Sequence, residues 1–266
     1  MLNLLATLLF AMAASKEPSS MDSSLRTMIV PSTPESSTII LKIAIPEEGQ
    51  VVSNPVGIQF RIDGFALGAP SPFERAGELV NSDMGQTIHV ILDNRSYIPI
   101  NKPAIDPLDE SGFYYDMSYK FDLPYRLGSG MHTLRMFPAR SYGESLKGEN
   151  TFVALSFYVN AEESNRKMDL SQPYITYNEP SPLMPLLEGK PVLLDFYVTN
   201  TELSQDGYKV RLTVDGTFHR LLTAWQPYYI YGLKKGRHTV RLELLDAQDK
   251  RVPGEFNDVS ETITVH

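Results

Sequence analysis

Cysteine is missing from all 266 residues. That removes disulfides, thiolate metal ligands, a cysteine nucleophile and a lipid-bearing cysteine after any leader. Basic clusters are missing too. The 24 Lys and Arg are scattered against 32 Asp and Glu, giving a net charge of −8. Nucleic acid and anionic lipid both need a concentrated basic face, so neither is an expected partner. No apolar run is long enough to span a bilayer comfortably, and no long amphipathic helix shows in the periodicity. There is no Gly-x-Ser-x-Gly elbow, no His-x-His pair and no phosphate-cradling glycine loop. The chain is therefore read as non-enzymatic, with no cofactor and no resident metal.

What is present suits one large or two ordinary globular domains: 42% hydrophobic and 21% charged residues, with 19 Pro and 17 Gly. Residues 1–14 carry an apolar stretch, Leu2 to Ala14, that ends in Ala11-Met12-Ala13. A short apolar run closed by small residues is the pattern of a signal peptide, here without a preceding Lys or Arg. Export to the periplasm or cell envelope is expected, and a cysteine-free exported chain suits a bacterial source. Residues 15–37 are rich in Ser and Pro and poor in apolar side chains, the composition of a disordered tether.

From Thr38 onward apolar residues fall on alternate positions. Val56, Ile58, Phe60 and Ile62 share one face of a strand, and Ile88, Val90 and Leu92 share another, which turns His89 outward. Thr151 to Val159 closes this first domain, 38–160. Residues 161–191 read as a linker stiffened by Pro173, Pro180, Pro182, Pro185 and Pro191. The second domain is 192–266, with a first strand that can start near 173. A linker of this kind predicts two cores that unfold separately.

One stretch occurs twice. Tyr125-Arg-Leu-Gly-Ser-Gly-Met-His-Thr-Leu-Arg-Met-Phe-Pro138 returns as Tyr231-Gly-Leu-Lys-Lys-Gly-Arg-His-Thr-Val-Arg-Leu-Glu-Leu-Leu-Asp246. Each is a glycine turn followed by His-Thr-(Leu/Val)-Arg opening an alternating strand, the trace of one small fold used twice. From Phe60 to Asp93 is 33 residues against 19 from Phe196 to Asp215, so the first copy carries insertions between its strands. Short alternating strands with turn signals predict an all-β protein of two tandem antiparallel β-sandwiches, immunoglobulin- or fibronectin III-like.

The sequence offers few candidates for chemistry. His132 and His238 hold equivalent places in the repeat, which favours a role in the fold. The polar loop Arg140, Ser141, Tyr142, Glu144, Ser145 and Lys147 sits between strands, where sandwiches carry ligand-binding residues. A second possibility is a metal or small-ligand site formed by His89, His132 and that Arg140 loop. Aromatics at Trp225, Tyr228, Tyr229 and Tyr231, and at Phe113, Tyr114, Tyr115 and Tyr119, suit stacking on a sugar or peptide. They suit core packing as well.

Thr87-Ile-His-Val-Ile-Leu-Asp-Asn-Arg-Ser-Tyr97, Met131-His-Thr-Leu-Arg135 and the Arg140 to Lys147 loop resemble an uncharacterised family of exported bacterial proteins. So do Leu194 to Tyr208, Trp225-Gln-Pro-Tyr228 and Val252 to Asn257. The resemblance runs over about residues 40 to 266 and implies two tandem sandwich domains, export and no particular chemistry. It also implies a second His two residues before His89 and a Trp-His pair in the Arg140 loop. Thr87 and Tyr142-Gly143 stand there in this chain, which counts against metal. The expected function is a non-catalytic exported binding or scaffolding protein of the envelope, with protein or glycan as ligand.

Overall fold

The computed structural model describes residues 24–101, 118–161 and 168–266. The expected signal peptide lies outside the described residues. The chain forms β1 (Arg26–Ile29), β2 (Ile40–Ile45), β3 (Val51–Val52), β4 (Gly57–Asp63), β5 (Thr87–Leu92) and β6 (Ile98–Ile100). β7 (Ser118–Asp122), β8 (Gly130–Ala139), β9 (Val153–Val159), β10 (Tyr174–Glu179) and β11 (Val192–Thr199) follow. β12 (Lys209–Val214), β13 (Phe218–Leu222), β14 (Tyr228–Tyr231), β15 (Gly236–Leu245) and β16 (Asp258–Val265) complete it. A short helix, α1 (Arg75–Glu78), lies in the long insertion between β4 and β5.

Four sheets make two sandwiches. In the first, β2-β4-β7 faces β3-β9-β8-β5-β6; in the second, β1-β14-β11-β10 faces β13-β12-β15-β16. The named strands pair antiparallel except β3 with β9. Alternation sets the cores. Ile58, Phe60 and Ile62 of β4 meet Ile88, Val90, Leu92, Leu134 and Met136 across the first sandwich. Leu194 and Phe196 meet Val210, Leu212, Val240, Leu242 and Leu244 across the second.

The repeat is a staple. Asp93 follows β5 in left-handed backbone, φ 55°, and Asp215 follows β12 at φ 50°. Each carboxylate reaches across to the start of the neighbouring strand. Asp93 accepts from the Thr133 amide at 3.0 Å and lies 2.9 Å from His132 Nδ1. Asp215 accepts from the Thr239 amide at 2.8 Å and lies 2.7 Å from His238 Nδ1. The other ring nitrogen of each histidine meets the carbonyl four residues back, Gly128 at 3.0 Å and Lys234 at 2.7 Å. An Asp that turns the chain and a His-Thr pair that clamps it explain why these letters recur.

Two expected boundaries change. Composition predicts a tether over residues 15–37, yet within the described part β1 pairs with β14, Arg26 opposite Tyr231 and Ile29 opposite Tyr228. Met28 and Ile29 stay exposed in β1, which is held by its backbone pairing to a distant strand. The linker 161–191 contains β10, paired with β11 from Tyr174–Thr199 to Glu179–Asp195. Pro173 and Pro180 flank this strand and leave its interior free to pair.

Candidate functional site

β5, β8, β10 and β11 are buried on nearly every residue, on both faces. The second sandwich lies across the first, so the outward face expected for His89 is covered. Phe137 and Phe152 of the first sandwich meet Tyr197 of the second, with ring centroids 4.8 and 4.6 Å apart. The picture of separate cores on a stiff linker is therefore overturned by a shared interface.

The loop after β8 is the centre of that interface. Arg140 and Glu144 close it, with the Arg140 amide donating to the Glu144 carbonyl at 2.8 Å. Gly143 sits at φ 89°, and a Cβ there would come within 2.8 Å of Glu179. Only glycine allows the second sandwich to approach so closely. Asn178 then donates from Nδ2 to the Gly143 carbonyl and to Asp195 Oδ2, both at 2.7 Å.

Asp195, 0% exposed, collects the remaining donors. Lys147 Nζ lies 2.6 Å from its Oδ1, and the Ser145 amide and hydroxyl both donate to Oδ2. A buried carboxylate is tolerable when it is paired and hydrogen-bonded to this extent. Because both Asn178 Nδ2 hydrogens are committed, its Oδ1 must accept from His89 Nδ1, 2.7 Å away. His89 is thus the neutral Nδ1–H form, and burial pulls its pKa down to about 4. Its ring stacks on Tyr97 at 3.6 Å. Tyr97 donates to Glu179 Oε1 at 2.8 Å and the Ser181 amide to Oε2 at 2.6 Å. Burial nonetheless outweighs these donors and pushes the Glu179 carboxyl up to about 8.

The other side of the loop holds the N-terminal segment. Glu144 receives Arg75 on one oxygen and the Thr33 amide on the other, the latter at 2.8 Å. Burial raises its carboxyl above the usual range. Arg140 donates to Gln86 Oε1 and to the Pro34 carbonyl, at 3.0 and 2.8 Å. Glu35 accepts the amides of Lys147 and Gly148 at 2.8 and 2.7 Å. Val30 packs with Leu79, Tyr142, Leu193 and Tyr229. Residues 24–37 are a strap that runs from the second sandwich onto the first.

Arg140, Ser141, Tyr142, Glu144 and Ser145 are all buried, and Lys147 points at Asp195. The loop faces the partner sandwich instead of solvent, and the β4–β5 insertion, through Arg75 and Gln86, and the N-terminal strap cover its other side. Ser145 and Lys147 lie 2.9 Å apart, a hydroxyl beside an amine, but the hydroxyl donates into Asp195 and is 1% exposed. Nothing can approach it. The His89, His132 and Arg140 grouping does not form. His89 pairs across from Phe137, five residues along β8 from His132, about 17 Å at strand rise. Among the described residues no group of three His, Cys, Asp or Glu is placed to hold a metal.

The aromatics pack. Tyr119 stacks on Phe60 at 5.0 Å, Trp225 donates to the Phe196 carbonyl at 2.9 Å, and Tyr228 and Tyr229 are buried. Tyr231 is half-buried beneath Arg26. Phe113, Tyr114 and Tyr115 lie outside the described residues. Sequence reasoning missed Asp195, Asn178, Glu179, Arg75 and Glu35. For Asp195 a signal exists: an acid inside Val192-Leu-Leu-Asp-Phe-Tyr-Val198 must meet partners once that strand is covered on both faces.

Openings along the interface are small, crevices of about 20 Å³, room for a single water. A larger cleft of about 280 Å³ lies on the first sandwich, walled by the insertion between β4 and β5 and by Ser141.

No family model matches the chain, and no curated protein does. Among solved structures it is similar to fibronectin(III)-like modules of Clostridium thermocellum CbhA. The identity is 10% over 85% of this chain and 94% of that one, with a TM-score of 0.29. It is also similar to the Bacteroides ovatus mixed-linkage glucan utilization locus protein SGBP-B in complex with a mixed-linkage heptasaccharide. There the identity is 13% over 90% of this chain and 47% of that one, with a TM-score of 0.20. The FN1–FN3 domains of chicken CNTN1 give 10% identity over 84% and 66%, with a TM-score of 0.23. Likenesses this distant add nothing to the strand order, which by itself makes the chain an all-β protein of two tandem immunoglobulin/fibronectin III-like sandwiches.

Proposed function

We propose that the chain is a non-catalytic, rigid two-domain binding or scaffolding module, exported to a bacterial envelope, with a protein or a glycan as its ligand. The observation that carries this reading is the buried polar interface around Asp195. Four donors meet the Asp195 carboxylate and the cluster is shielded from solvent, an arrangement that favours one domain orientation and gives these groups no access to a substrate. The apolar Leu2 to Ala14 stretch supports export.

The absence of cysteine makes rigidity simple to test. Glu47→Cys and Asp206→Cys place one label on an exposed loop of each sandwich. A single narrow inter-label distance is expected; a broad distribution would mean a hinge and would remove the scaffold reading. Export is checked by intact mass from the native host, where a start near Ala14 or Ser15 is expected and retention of Met1 in cytosol is the contrary result.

A further inference from the structure

We infer that the cleft walled by Pro70, Ser71, Asn81, Ser82, Asp83 and Ser141 is a binding site for a single sugar ring. This deepens the binding-module reading and rests on it. The cleft has about 280 Å³ of space, several water volumes, which suits a compact ligand rather than an extended strand. It is built by the insertion that the second sandwich lacks, so it is a feature of the first copy and not of the fold.

Its inner wall is pre-set. Ser141 Oγ donates to Asn81 Oδ1 at 2.7 Å, and the Ser141 amide donates to Ser71 Oγ at 2.9 Å. Ser71 Oγ donates onward to Gln86 at 3.2 Å, while Asn81 Nδ2 donates to the Ala76 carbonyl at 2.6 Å. The Ser71 amide also donates to Ser141 Oγ at 3.2 Å, so each hydroxyl has committed its hydrogen and one lone pair and keeps one lone pair spare. On the rim, Asp83 is exposed and its carboxylate has no partner among the described residues; Ser82 Oγ accepts the Met84 amide at 3.2 Å. The cleft therefore offers mostly acceptors and wants a ligand rich in hydrogen-bond donors.

The lining holds no Lys, Arg or His. The two guanidiniums next to lining residues in sequence are engaged elsewhere, Arg140 with Gln86 and the Pro34 carbonyl and Arg75 with Glu144 and the Pro31 carbonyl. A phosphate, sulfate or carboxylate finds no counter-charge, and Asp83 repels it. One exposed carboxylate is too screened to hold a free ammonium by charge alone. Hydroxyl groups, each able to donate to these acceptors and accept from Ser82, fit best, with Pro70 and Ala76 against the C–H face of the ring.

The test titrates methyl glycosides of glucose, galactose, mannose and N-acetylglucosamine into isotope-labelled full-length protein, with inorganic phosphate and methylammonium as comparators. At least one glycoside should shift the amide signals of residues 68–85 and Ser141. Asp83→Asn combined with Ser82→Ala should weaken that binding about tenfold while the protein stays folded, with unchanged amide signals outside residues 68–85 and 141. No glycoside response in these signals, or an equal response to methylammonium or phosphate, overturns the assignment. So does full affinity in the double variant. If a glycan or protein ligand is bound elsewhere and the double variant retains it, the cleft falls and the binding-module reading stands. A broad inter-domain distance removes the scaffold reading whatever the cleft does.

Discussion

Asp195 occupies the middle of an otherwise apolar strand, and its four donors come from two elements, the loop after β8 in the first sandwich and β10 in the second. Replacing it with alanine leaves Lys147, Ser145 and Asn178 without their acceptor in a buried setting. Breaking a buried pair from one side costs about 3–5 kcal/mol, and urea unfolding of Asp195→Ala should show a loss of that size. Glu179 and His89 give the interface a pH signature of opposite signs. Glu179 titrates near 8 in the fold against 4.5 for a free glutamate. Its contribution is full below about pH 4.5 and falls as pH rises toward 8. His89 titrates near 4 against 6.5, so its contribution is full above about pH 6.5 and falls as pH drops toward 4. Thermal unfolding of Glu179→Gln should therefore lose the decline between pH 5 and 8 while keeping the acid-side one. None of these roles was readable from spacing, because the partners of Asp195, Glu179 and His89 are fixed only when two distant sheets meet.

At the scale of elements, alternation located the core strands well. Ile58, Ile88, Leu134 and Leu242 face inward as their period implies, and the twice-used His-Thr pair marks the same staple in both copies. The elements that periodicity did not give are those held from outside themselves. β1 has a mostly exposed pattern and exists because β14 offers an edge. The Arg140 loop has the composition of a solvated turn and is buried because the strap and the β4–β5 insertion cover it. Deleting residues 1–37 should remove the strap's contacts to Glu144, Arg75 and Tyr229. A stability loss of at least ~2 kcal/mol is expected from Val30 burial and the lost strand pairing. Faster proteolysis within 140–148 should accompany it; an unchanged digestion pattern would mean that the strap is ornamental to the interface.

The whole molecule should unfold as one unit, since the interface joins the two cores through buried side chains. Leu242, 0% exposed in the second core, makes the test. Leu242→Ala should cost about 2–5 kcal/mol and shift a single calorimetric transition, with no separate melt of the first sandwich left behind. Two resolved transitions would show that the interface is too weak to couple the cores. The strap has a temporal consequence as well. Arg26 pairs with Tyr231, 205 residues later in the chain. At about 5–20 residues per second of synthesis, β1 waits roughly 10–40 s for its partner to exist. The first sandwich has time to fold on its own strands within that interval, and the second can close only afterwards. The earliest of the described strands thus waits for one of the latest, and until the two meet the edge of β14 stands open to any strand that reaches it first.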